Sequence, residues 1–136
     1  MATGVAMTTF LADALLNHVL RNTPFTSPTN IFIGLFTSNP GESGGGTEVS
    51  GGGYARQQVT FGAPQDNAPD GRRCTNSSAV TFPQATANWG TITHAGLFST
   101  ATGGNMLFYG ALSSSATINA GDTLTFAAGN ISVGMD

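Results

Sequence analysis

The hydrophobic pattern changes once along the chain, from a helical period near the N-terminus to a period of two after Pro28. In the first part, Leu11, Leu15 and Val19 recur at intervals of four, which places them on one face of a helix. We therefore predict a single helix over residues 8–22. Almost every remaining pattern in the chain is typical of β-structure.

The ends and the width of this helix can also be predicted. Thr8 or Thr9 can cap its first turn, and Pro24 follows shortly after the expected end. Leu16 and Leu20 widen the apolar stripe, so that few polar positions remain. A stripe this broad must be buried on a sheet or on a partner.

After Pro28, short apolar segments alternate with Gly, Pro, Asn and Ser, which is typical of antiparallel strands joined by turns. The segment Ile31–Phe36 is apolar on both faces and is expected inside a sheet. Residues 54–61 alternate instead, with Tyr54 and Arg56 on a wet or interfacial face. Further strands are predicted at 79–82, 91–98, 105–112, 116–119, 123–127 and 131–135. Seven to eight short strands predict a mainly β fold, an antiparallel β-sandwich or barrel over residues 30–136.

Two long loops, residues 38–53 and 62–78, separate the predicted strands. The first is rich in glycine, which is where phosphate sites are usually sought. It has no lysine, it carries Glu42 and Glu48, and a strand rather than a helix follows, so it is not a P-loop. We expect a structural or interfacial loop whose glycines let it fit against a neighbouring subunit. The two loops are expected to carry the contacts of the protein.

Length and charge narrow the function classes. The 136 residues predict one domain, 1–136, which can bury a core without metals or disulfides. Charged residues make up only 8% of the chain, far below the roughly 25% of ordinary soluble domains. A surface with so few charges favours a protein that works as a subunit of an assembly. The net charge of −3 offers no basic stripe, so nucleic acid is not an expected partner. Neither a signal peptide nor a membrane span is predicted.

Residues that could carry chemistry are few. His18 and His94 are the only candidates for a general base near neutral pH, and neither GxSxG nor HExxH occurs. Cys74 is the single cysteine, so an intramolecular disulfide or a CxxC metal site is excluded. Residues 66–71 superficially look like a calcium loop but lack the EF-hand spacing and its terminal Glu. We expect no catalytic residue, no cofactor and no metal, and therefore no enzyme.

Four residues are candidates for contact with a partner, namely Glu48, Tyr54, Arg56 and Trp89. Trp, Tyr and Arg dominate the binding energy of protein interfaces. Trp89 has two readings that the sequence leaves open, a plug at the end of the core or an interface anchor. The same two readings apply to Tyr54 and Arg56.

Several segments together resemble a family of small virion proteins of tailed bacteriophages that is often labelled phage tail fibre protein. They are Phe10–His18, Ile33–Thr37, Gly46–Arg56, Ala87–Gly90 and Leu107–Leu112. The run from Thr47 to Arg56, TEVSGGGYAR, is the most specific of them. The resemblance covers nearly the whole chain. It implies a virion structural protein, assembled in the host cytoplasm, with no catalytic residues to carry over.

Two functions remain open within this resemblance. The short length, the absence of repeats and the single helix favour a capsid decoration (cement) protein, which would stabilise the shell by bridging neighbouring subunits. Its partners would be the major capsid protein or further copies of itself in a homo-oligomer. The alternative is a component of the tail or tail fibre. One version of this alternative is a module that binds a receptor or a glycan. Such a module would use Trp89 or Tyr54 as a stacking platform.

Overall fold

A computed structural model describes residues 6–66 and 71–135 of the chain. It contains one helix and ten strands in this part. In chain order they are β1 (Ala6–Met7), α1 (Thr9–Leu20), β2 (Ile31–Phe36), β3 (Gln57–Val59), β4 (Gln65–Asp66), β5 (Arg72–Thr75), β6 (Val80–Thr81), β7 (Gly90–Phe98), β8 (Met106–Ile118), β9 (Thr125–Phe126) and β10 (Ser132–Met135).

The largest sheet has five antiparallel strands in the order β1-β8-β7-β2-β3. Its central strand β7 pairs with β8 on one side and with β2 on the other, and a glycine-containing hairpin loop at residues 99–104 joins β7 to β8. Strand β2 lies between β7 and β3, with Ile33 opposite Leu97 and Leu35 opposite Ala95. The prediction that Ile31–Phe36 forms an interior strand is confirmed.

Two smaller antiparallel sheets complete the fold, one of strands β10-β5-β4 and one of the pair β6-β9. The main core lies between one face of the large sheet and the β6-β9 pair with its flanking loops. Ile33, Leu35 and Ile92 of the large sheet are completely buried there, together with Phe82 and Ile131 from the loops. A smaller apolar cluster on the opposite face of the large sheet contains Phe36, Phe98 and Met106.

The predicted fold class, mainly β and antiparallel with one N-terminal helix, is confirmed. Three details of the prediction are wrong. Ten strands are present in the described residues instead of seven to eight, one long strand β8 (Met106–Ile118) takes the place of the two predicted at 105–112 and 116–119, and the predicted loop 62–78 contains β4 and β5. The strand β5 was missed because its sequence, RRCT, does not alternate, and because it pairs with β10 near the far end of the chain. Residues 67–70 of that loop lie outside the described residues.

Helix α1 begins where the sequence predicts and is only slightly shorter than expected. The Thr8 hydroxyl accepts a hydrogen bond from the Leu11 backbone N–H (3.3 Å) and donates one to the Met106 carbonyl (2.6 Å), so it caps the helix and ties it to β8. At the other end Asn22 adopts a positive φ of 54°, a conformation that asparagine tolerates better than most residues. The helix is therefore fixed at its start by a buried polar contact.

The helix does not bury its broad apolar stripe within the chain. Only Leu11 is buried, at 5% exposure. Phe10 and Leu16 are 43% and 57% exposed, and Val19 and Leu20 are each 73% exposed. The stripe was expected to be buried on a sheet or on a partner. Within the chain, one side of the helix is buried and the other side is exposed to solvent.

Candidate functional site

The glycine-rich loop is held against the edge of the large sheet. Beside β2, the Thr37 N–H donates to the Thr47 carbonyl and the Val49 N–H donates to the Leu35 carbonyl, both at 2.9 Å. Residues 47–49 thus extend the sheet at the end of β2 that β3 does not reach. The chain then turns back through three glycines with positive φ, residues 51–53. These glycines form a tight turn within the chain, and the fit of the loop against a neighbouring subunit stays a prediction.

Glu48 and Tyr54 fill the gap that this turn leaves at the edge of β2. The Tyr54 hydroxyl accepts a hydrogen bond from the Leu35 backbone N–H at 2.9 Å and donates one to Glu48 Oε2 at 2.6 Å. The phenol therefore satisfies a strand-edge donor that would otherwise lack a partner. Its ring stacks on Phe82, 6.1 Å away between centroids. The prediction of a strand that starts at Tyr54 is wrong, because the strand begins only at Gln57.

Arg56 joins the glycine-rich loop to the hairpin between β7 and β8. Its Nε and Nη2 donate to the two oxygens of Glu48, each at 2.8 Å, in a bidentate pair. Its Nη1 donates to the carbonyls of Thr100 (3.0 Å) and Gly103 (2.8 Å). The guanidinium carbon lies 3.4 Å from the centre of the Phe98 ring, a cation–π contact. Only 7% of the Arg56 side chain is exposed.

Trp89 contacts the glycine-rich loop on the side opposite to Arg56. Its indole N–H donates to the Gly52 carbonyl at 2.8 Å, and the ring meets Tyr54 edge to face at 5.5 Å between centroids. A Cβ at Gly52 would come within 3.0 Å of the indole nitrogen, and the φ there is +59°, so glycine is required on two grounds. Trp89 itself is 6% exposed and belongs to the main core.

The structure thus brings together all four residues that the sequence singled out. We call Glu48, Tyr54, Arg56 and Trp89 the loop clamp. Their polar groups are engaged within the chain, and the clamp holds the TEVSGGGYAR segment against the sheet and the hairpin. The predicted role of these residues in partner contact stays a prediction.

The electrostatics of the clamp follow from its partial burial. Burial alone would raise the pKa of Glu48, but the hydrogen bonds from Arg56 and Tyr54 and the charge of Arg56 outweigh it, so that the pKa is lowered from its ordinary value of 4.5. Burial, followed by the hydrogen bond to the Glu48 carboxylate, raises the pKa of Tyr54 well above its ordinary value of 10. The clamp therefore holds an ionised carboxylate, an arginine and a neutral phenol at neutral pH.

Groups suited to catalysis do not converge in the described residues. The Nδ1 of His18 accepts a hydrogen bond from the Phe25 backbone N–H (3.0 Å), and the Nδ1 of His94 lies 2.8 Å from the Thr93 hydroxyl. Residues 6–66 and 71–135 contain no group of three or more His, Cys, Asp and Glu side chains that could hold a metal ion. The calcium loop considered at 66–71 lies mostly outside the described residues.

Two surface features lie outside the loop clamp. One is the exposed apolar side of α1, whose width the sequence already indicated. The other is an open apolar pocket of about 290 Å³ between the large sheet and the sheet of β10, β5 and β4. It is lined by Ile31, Phe61, Pro64, Arg72, Arg73, Cys74, Leu97, Phe108, Val133 and Met135. The sequence could not show this pocket, because it depends on the distant pairing of β5 with β10.

In the described part of the chain, α1 is too short to cross a membrane and no other helix is present.

Comparison with known proteins identifies the family of this chain. A search of curated proteins found no match. A family model described as "Podophage GP4 fiber I protein gp80" matches residues 6–134, which is nearly the whole chain. The match confirms the resemblance to virion proteins of the phage tail-fibre type. This chain therefore belongs to the family of podophage GP4 fiber I protein gp80.

Proposed function

We propose that the protein is a non-enzymatic structural component of a podophage tail fibre. The observation that carries this proposal is the family match over residues 6–134, whose description names a fibre protein. The match favours the alternative considered from the sequence over capsid decoration, which no finding confirms. A place in the virion follows from a fibre family.

The loop clamp supports a structural role. A long glycine-rich loop would normally be mobile, because glycine loses more backbone entropy on ordering than any other residue. Here Arg56 ties it to the neighbouring hairpin, while Trp89 and Tyr54 hold the turn. The result is one stiff β-module with well-fixed loops at this end. Stiffness of this kind suits a part that transmits force or sets geometry in an assembly.

The exposed side of α1 supports a role inside an assembly. Surface apolar residues scattered singly are normal, but Phe10, Leu16, Val19 and Leu20 lie together on one short helix. Burying them against another protein would recover free energy that the isolated chain leaves unused, at roughly 25 cal/mol per Å² of apolar surface. We therefore assign α1 as an attachment element of the fibre component.

No specific observation favours the receptor- or glycan-binding form of this function. A stacking platform for sugars needs an exposed aromatic face. Trp89 is 6% exposed, and Tyr54 packs its ring against Phe82 and Trp89. The apolar pocket also lacks the polar groups with which proteins usually orient sugars.

Copy number in purified phage particles tests the proposal. The chain has no lysine and only four arginines, so isotope-labelled whole protein is the suitable standard for quantitative mass spectrometry. A fibre component is expected in far fewer copies than the major capsid protein. A copy number comparable to that of the major capsid protein would overturn the fibre assignment and favour capsid decoration. Absence from washed particles would overturn both.

A further inference from the structure

We draw no further inference here: the strongest candidate, the open pocket between the large sheet and the sheet of β10, β5 and β4, presents an almost wholly apolar surface, and nothing in the structure shows what covers it.

Discussion

Arg56→Ala is expected to be among the most destabilising single substitutions outside the apolar core. The side chain makes four hydrogen bonds, two to the Glu48 carboxylate and two to backbone carbonyls of the hairpin, and it covers the Phe98 ring. Removing it leaves the Glu48 carboxylate partly buried, with Tyr54 as its remaining donor. It also detaches the glycine-rich loop from the hairpin.

The magnitude follows from burial. Removing one partner of a buried ion pair costs about 3–5 kcal/mol, but Glu48 is 25% exposed and water can solvate it in part, which reduces this to roughly 2–4 kcal/mol. The lost cation–π contact adds about 1 kcal/mol. We expect a decrease of about 3–5 kcal/mol in the free energy of unfolding. For a chain of 136 residues this corresponds to a melting temperature lower by roughly 12–20 °C.

Urea denaturation provides the assay, since Trp89 is the only tryptophan and lies in the clamp. Its fluorescence reports the clamp directly, and far-UV circular dichroism reports the sheets. Arg72→Ala is the matched control: Arg72 also pairs with a carboxylate, but its side chain is 59% exposed and that of Asp66 is 94% exposed. Pairs of this kind contribute less than about 1 kcal/mol.

Arg56→Lys separates charge from geometry. Lysine keeps the positive charge but cannot reproduce the bidentate pair and the two carbonyl contacts together, so an intermediate loss is expected. A loss of stability in Arg56→Ala no larger than that in Arg72→Ala would show that the Arg56 contacts do not stabilise the fold. Loss of stability equal in the Lys and Ala variants would show that the hydrogen-bond geometry, and not the charge, carries the effect.

Further predictions concern the same cluster and the helix. Gly34→Ala places a Cβ 2.8 Å from Glu48 Oε2, which the clamp prevents from moving aside. We expect the free energy of unfolding, measured by urea titration, to fall by roughly 1–3 kcal/mol. Gly62→Ala, where the atom nearest to the new Cβ is 3.9 Å away, is the control. Because the pKa of Glu48 is lower in the folded state than its ordinary value of 4.5, the ionised carboxylate stabilises the fold above pH 4.5, and this stabilisation is lost as the pH falls further. The difference in free energy of unfolding between the native chain and Glu48→Gln is therefore expected to shrink below pH 4.5. A difference that does not change with pH would contradict this. Leu11→Ala is expected to lower the free energy of unfolding of the isolated chain by about 2–5 kcal/mol in thermal or urea unfolding, because Leu11 is buried. Leu16→Ala, at an exposed position, should change it by less than about 0.5 kcal/mol. Equal losses would mean that both sides of α1 are buried.

Local pattern was enough to predict the elements that their own residues specify, even where their partners lie far along the chain. The interior strand Ile31–Phe36 is apolar on both faces, and the hairpin between β7 and β8 is marked by Gly103 and Gly104 with positive φ. Helix α1 has a capping threonine at its start. In each case propensity, turn chemistry and the tertiary structure agree.

Distant pairing was the part that local pattern could not predict. Strand β5 lies in a polar segment, and its longer pairing is with β10, about 60 residues later. The apolar pocket exists because of the same pairing. Residues 54–61 alternate like a strand, but the positive φ at Gly51, Gly52 and Gly53 sends Tyr54 toward the core before the strand begins.

The sequence singles out the four residues of the loop clamp for contact with a partner, which stays a prediction, and it does not show how they are arranged. Glu48, Tyr54, Arg56 and Trp89 were selected as residue types that anchor interfaces, and the structure brings them together around one turn. A sequence cannot show whether an arginine points to a partner or to a carboxylate eight positions earlier. The spacing of Glu48, Tyr54 and Arg56 around three glycines was the available signal, because such a turn returns the chain upon itself.

Localisation of the protein on intact phage particles tests its assignment to the tail fibre. Electron microscopy of particles labelled with antibody against the purified protein, with mapping of the label by averaging, would place it at head or tail. A fibre component predicts label at the tail fibres and none on the capsid faces. Label distributed over the capsid surface would contradict the account and support a decoration protein instead.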